Sequence, residues 1–293
     1  MAMDSGVFTI AELVALGWPP TEIRRAQRAQ RLISIGRGWV RTDAAHPDVV
    51  SAVMAGGALS CVGALSFHKQ HRWPKIWIPS GYSDTHVRRS KHMKTTARPT
   101  GPFHWCQGYG RPLPVTAAVD SVAVAVGCAA RCVTGEEWIA IVDSILNSTE
   151  ITIPDLQADM GRVTQTVSRL FARCDARSQS GTESIARLRL ISAGFSVEVQ
   201  PSISRHEHAD LAVGALLIEC DGKLYHSDEA SYRNDRRRDR MTLIDRWMTM
   251  RLTYDDVLYD WAGVLEDIRS VTRQDRHRIR RTDDPRRKHA SPS

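Results

Sequence analysis

The chain has no CxxC pair among its six cysteines, no secretory leader and no uninterrupted apolar run of membrane-spanning length. Without paired spacing or a leader, Cys61, Cys106, Cys128, Cys132, Cys174 and Cys220 read as free thiols of a cytoplasmic protein. Cys128 and Cys132 stand four apart on an expected helix, where they could share a metal. No second pair of ligands lies nearby in sequence, so they read as small buried hydrophobes. The most apolar segment, "VTAAVDSVAVAVGCAARCV" at residues 115–133, is broken by Asp120 and Arg131 and is rich in alanine. It predicts a core helix and excludes a membrane span there.

What is present is an ordinary globular composition over 293 residues, 42% hydrophobic, enough for two or three cores. Forty Lys and Arg stand against 33 Asp and Glu, a net charge of +7. That balance favours a polyanionic partner without naming one.

The first forty residues have a tight rhythm. In "TIAELVALGW", Thr9 and Glu12 have capping-box spacing and Gly17 ends a short helix. "PPTEIRRAQRAQRL" then predicts a second helix with Ile23, Ala26 and Gln27 on one side. "LISIGRGWVRT", with Gly36 and Gly38, predicts a two-stranded hairpin. Together these make a winged helix-turn-helix. Its second helix carries Arg24, Arg25, Arg28 and Arg31, and its hairpin tip carries Arg37. Arginines gathered on one helix and its wing suit contacts to DNA phosphates or base edges; the plainer reading is a solvated face.

The middle of the chain has no specific motif. "VVSAVMAGGALSCVGALSFHKQH" reads as helical, "KIWIPSG" and "FHWCQG" as strands, and "GEEWIAIVDSILNS" and "IPDLQADMGRVTQTVSRLFARC" as helical segments. His68 and His71 have HxxH spacing, and His206 and His208 flank Glu207, yet neither pair has a convincing set of further ligands.

From Ser178 the pattern changes. "SGTESIARLRLISAGF" predicts a helix ending near Gly194, with Glu183 in its first turn. "SVEVQPSI", "HADLAVG" and "ALLIECDGKLYH" predict strands, the last two joined by a turn at Val213-Gly214. A basic helix "SYRNDRRRDRMTLIDRW", a strand "MTMRLTY" and a closing helix follow, an α/β order. Alternation puts Leu217, Glu219, Asp221 and Lys223 on one face, and pairing across the turn brings Asp210 near Glu219 or Asp221. Three carboxylates meeting at a sheet end must take protons, find cations or lie near water. A hard cation such as Mg²⁺, or Mn²⁺, meets that demand and can activate water against a phosphodiester.

These residues resemble a known family. Asp210, then Glu219-Cys220-Asp221-Gly222 and His226, with Glu183 on the preceding helix, look like the endonuclease-like domain related to very-short-patch-repair endonucleases, within the PD-(D/E)XK superfamily. The N-terminal part resembles the winged-helix domain of antitoxins from type IV toxin-antitoxin (abortive infection) systems, and the two-ended arrangement is similar to that of many actinobacterial proteins. The resemblance implies that Asp210 and Glu219 hold the metal, that Asp221 joins them or orients the water, and that Glu183 assists from the helix. It implies for His226 a role as general acid, base or phosphate contact. Asp221-Gly222-Lys223 also spells the superfamily's D-x-K, a register in which Lys223 would stabilise the transition state or aid water deprotonation. The register pairing Glu219 with Asp221 is preferred, with Lys223 then a neighbour. Ala209 stands where the superfamily has a proline. Arg233, Arg236, Arg237 and Arg240 of the basic helix would hold DNA backbone near the metal or neutralise the acids.

The expected chain is thus α/β, with a winged helix-turn-helix over residues 1–45, an α+β spacer over 46–175 and a restriction-endonuclease-like (PD-(D/E)XK) domain over 176–272. A basic tail, 273–293, is expected to be disordered. The expected activity is metal-dependent DNA endonuclease, with RNA left open as substrate, a homodimer left open as assembly, and no membrane partner. Phage defence, repair and mobile-element biology are the candidate settings. The alternative is an antitoxin-like DNA-binding transcriptional regulator whose nuclease fold is non-catalytic.

Overall fold

Thr9 fixes the first turn of the chain. Its Oγ1 accepts from the Glu12 amide at 3.0 Å while a Glu12 carboxylate oxygen accepts from the Thr9 amide at 2.6 Å, so two orphan donors are satisfied at once. In this computed structural model, which describes residues 5–96, 102–204, 207–221 and 247–273, that cap launches α1 (Ile10–Ala15) directly from β1 (Val7–Thr9). Next come α2 (Pro20–Arg28), β2 (Ile33–Gly36) and β3 (Trp39–Arg41). Gly38, at φ +80°, supplies the left-handed residue that the β2–β3 turn requires. β3 pairs antiparallel with both β2 and β1, so the expected hairpin gains a third strand. Phe8, Leu13, Ile23, Ala26, Leu32 and Val40 form the core beneath it. Each large side chain buried this way contributes about 1.5–3 kcal/mol.

The chain divides into two compact units, Met1–Cys174 and Asp175–Ser293, and residues 46–174 belong to the same unit as the N-terminal elements. After α3 (Pro47–Met54) the stretch expected to be helical throughout is interrupted by β4 (Gly57–Leu59), before α4 (Cys61–His71). β4 pairs antiparallel with β5 (Thr85–Arg89), which pairs parallel with β6 (Phe103–Cys106). "KIWIPSG" is irregular and not a strand. Pro74 just before it and Pro79 within it remove ladder donors, Ile76 and Pro79 are its buried residues, and the Trp77 amide donates to Ser144 Oγ at 2.9 Å. The expected helix over 115–133 starts only at α5 (Val122–Ala129), capped by Ser121. Asp120 lies before it in a buried two-point pair with Arg88, at 2.6 and 2.7 Å. A second capping box, Thr134 with Glu137, opens α6 (Gly135–Ser148), followed by α7 (Ile153–Asp159) and α8 (Gln165–Phe171).

The second unit opens with α9 (Gly181–Ser192). The expected strand "SVEVQPSI" is split into β7 (Glu198–Val199) and β8 (Ser202–Ser204) by Gln200, at φ +52°, and Pro201. β8 pairs with β9 (Glu207–His208). β10 (Leu211–Val213) and β11 (Leu216–Cys220) form a hairpin in which Leu211 faces Ile218 and Val213 faces Leu216, with Gly214 at φ +62° in the turn. β12 (Met248–Leu252) pairs parallel with β11, giving the order β12-β11-β10-β7, and α10 (Tyr254–Leu258) and α11 (Trp261–Thr272) close the unit. Leu216, Leu217 and Ile218 are all buried, so both faces of β11 are covered and charge enters the strand only at its end. No helix among the described residues is long and apolar enough to cross a membrane.

Candidate active site

The β10–β11 register settles where the acids fall. Because Leu211 faces Ile218, Asp210 stands opposite the end of β11, and its Oδ2 accepts from the Cys220 amide at 2.7 Å. Glu219, half-buried, aligns with Arg251 in the parallel β11–β12 ladder. Asp221 is also half-buried, and its amide donates to the Leu252 carbonyl at 2.8 Å, which anchors the strand end to β12.

Glu183 arrives from the start of α9. Ser180 caps that helix by accepting from the Glu183 amide at 3.1 Å. A Glu183 carboxylate oxygen accepts from the Gln179 amide at 2.9 Å and from Gln200 Nε2 at 3.1 Å. Only 3% of the residue is exposed. Burial, and after it the negative charge of Asp210, push the Glu183 carboxyl up to about 7 despite these donors. A helix N-terminus favours an anion by about 0.3–1 kcal/mol, so desolvation and like charge outweigh it here.

The four acids share a neighbourhood. Cys220 lies among them, and its thiol is pushed well up by burial and then by Asp210, Glu183, Glu219 and Asp221. Among the described residues, no three of these carboxylates bring their oxygens within 4.8 Å of one another. No family model and no curated protein matches the chain.

Lys223, His226, Arg233, Arg236, Arg237 and Arg240 lie outside the described residues, as does His206. In the first unit Arg24, Arg25, Arg28, Arg31 and Arg37 are all exposed, four of them on α2 or just beyond its end and the fifth at the β2–β3 turn. The remaining histidine pairs do not gather as ligands. His68 is buried with Nε2 2.8 Å from the Asp120 carbonyl, whereas His71 packs its ring on Phe67. His208 Nδ1 lies 3.2 Å from the Gln200 carbonyl. Gln200 itself is a site residue that no sequence motif marks. Its bond to Glu183 spans 17 positions, and only the strained backbone at residue 200, invisible in the sequence, singles it out.

Cys128 and Cys132 do not act as a pair. Cys128 turns into the core, while Cys132 Sγ sits 3.8 Å from Cys106 Sγ, beside residues from other elements.

Proposed function

We propose that the protein is a divalent-metal-dependent DNA endonuclease. In this reading the second unit carries a restriction-endonuclease-like (PD-(D/E)XK) domain and the N-terminal elements a winged helix-turn-helix that holds duplex. The observation that carries it is the gathering of Glu183, Asp210, Glu219 and Asp221 around Cys220 at one sheet end, where burial and then the charge of Asp210 hold a capped, hydrogen-bonded Glu183 up at about 7. Carboxylates gathered at a sheet end cost free energy unless protons, cations or water relieve them, and a bound cation would do so. An antiparallel hairpin followed by a parallel strand, flanked by helices, is compatible with that domain.

Asp210 and Glu219 would hold Mg²⁺ or Mn²⁺, with Asp221 joining them or orienting the water. When bound, the ion supplies an activated water and stabilisation of the charge that develops on the phosphate. Glu183, titrating near neutral pH, is suited to take or return a proton at its carboxylate. Lys223 and His226 follow the acids in sequence; the resemblance gives His226 a role as general acid, base or phosphate contact, and gives Lys223 a transition-state role only in the D-x-K register. Arg24, Arg25, Arg28, Arg31 and Arg37 would meet the phosphate backbone.

Incubating the purified chain with supercoiled plasmid and Mg²⁺ or Mn²⁺, beside an Asp210→Ala/Glu219→Ala variant, tests the reading. Metal-dependent cleavage by the parent alone supports it. DNA binding without cleavage by the parent would replace it with the regulator reading, and cleavage restricted to RNA would change the substrate.

A further inference from the structure

In the first unit, far apart in sequence, four soft or borderline donors converge. Cys61 is the first residue of α4, His86 lies on β5, Cys106 ends β6, and Cys132 follows α5. One donor atom from each lies within 4.8 Å of every other. Cys132 Sγ is 3.8 Å from Cys106 Sγ, and Cys106 Sγ is 3.3 Å from His86 Nδ1. A tetrahedral ion with bonds of about 2.3 Å to sulfur and about 2.0 Å to nitrogen places its ligand atoms about 3.8 Å (S to S) and about 3.5 Å (S to N) apart. The observed separations match those edges. They are also far beyond the roughly 2.05 Å of a disulfide bond.

We propose that Cys61, His86, Cys106 and Cys132 form a structural Zn²⁺ site that ties α4, β5, β6 and the segment after α5 together. Three thiolates and an imidazole select zinc over the hard cations expected at the acidic site. Cys61, His86 and Cys106 are buried and Cys132 half-buried, which gives a closed four-ligand site with no open position for substrate. Cys61 also holds a left-handed backbone, φ +53°, a strained conformation for a non-glycine residue that persists when its surroundings fix it. His104, exposed, brings Nε2 to 3.6 Å from Cys132 Sγ and stands at the rim.

The test is elemental analysis of the full chain purified under reducing conditions without chelator, followed by exchange into Co²⁺. About one zinc per chain is expected, together with the visible bands of tetrahedral cobalt bound to thiolate. A Cys106→Ser/Cys132→Ser variant should lose both, whereas Cys174→Ser and Asp210→Ala/Glu219→Ala should keep both. If the serine variant does not fold, the parent still decides. A reduced parent chain that neither carries zinc nor takes up Zn²⁺ or Co²⁺ near one equivalent would overturn the proposal. Retention of the cobalt–thiolate bands by a folded serine variant would overturn it equally.

Discussion

The Asp210 carboxylate accepts the Cys220 amide across the β10–β11 hairpin at 2.7 Å, so one residue both ends a ladder and faces the acidic cluster. The two roles separate by substitution. Asp210→Ala leaves a buried donor unmet and should lower unfolding stability by about 1–3 kcal/mol. Asp210→Asn keeps an acceptor and loses the charge. Chemical denaturation should show the Asn variant close to the parent, while plasmid cleavage should be lost in both. An Asn variant that cleaves normally would remove Asp210 from the metal site.

Glu183 predicts an unusual pH dependence. Its carboxyl titrates at about 7 in the folded chain against an ordinary 4.5, so between those values the folded state holds a proton that the unfolded state has released. Stability from this group is present at low pH and is lost as pH rises from about 4.5 through about 7, by up to the order of 3 kcal/mol. Urea titrations in EDTA at pH 5 and pH 8 should show that fall in the parent. Glu183→Gln should flatten it and be the more stable of the two at pH 8. A fall of the same size in the Gln variant would assign it to another group.

The Arg88–Asp120 pair is buried on both sides, with side chains only 6% and 5% exposed. Asp120→Ala strands a guanidinium in the core and should destabilise the first unit by about 3–5 kcal/mol. Thermal unfolding measures it. Arg37→Ala, at an exposed turn, should leave the same unfolding curve within about 0.5 kcal/mol.

Local signals are legible in the sequence and distant ones are not. Thr9 with Glu12 announces α1, and Gly214 between two apolar runs fixes the hairpin that sets Asp210 against Cys220. Each rests on residues within a turn or two of one another. "KIWIPSG" has strand composition, but Pro74 before it, Pro79 within it and the Trp77–Ser144 bond, across 67 positions, decide otherwise. The Cys61, His86, Cys106 and Cys132 cluster leaves no spacing motif, since successive members are 20 or more positions apart; only the β5–β6 register and the chain path after α5 unite them. At the acidic site, Asp210, Glu219 and Asp221 are visible as a hairpin pattern. The grip of Gln200 on Glu183 is not, because it depends on the break in the strand before it.

Arg24, Arg25 and Arg28 on α2 should add to duplex affinity by neutralising phosphates. Replacing Arg25 and Arg28 by Ala should lower the slope of log affinity against log salt by about 0.9 for each phosphate left without its arginine, across unrelated sequences alike. Fluorescence anisotropy at several salt concentrations reads this. An unchanged slope would show that α2 faces solvent and not DNA.

The proposed metal-dependent phosphodiester hydrolysis by the acids of the second unit is tested most directly by the single-turnover rate of cleavage of a labelled DNA duplex. The parent chain and Glu219→Ala are compared, each with Mg²⁺ and with EDTA. Cleavage by the parent should vanish in EDTA, and Glu219→Ala should lose at least about a hundredfold, the scale of removing a principal electrostatic contributor. Cleavage that survives EDTA, or an Ala variant as fast as the parent, would contradict a metal site built on these acids.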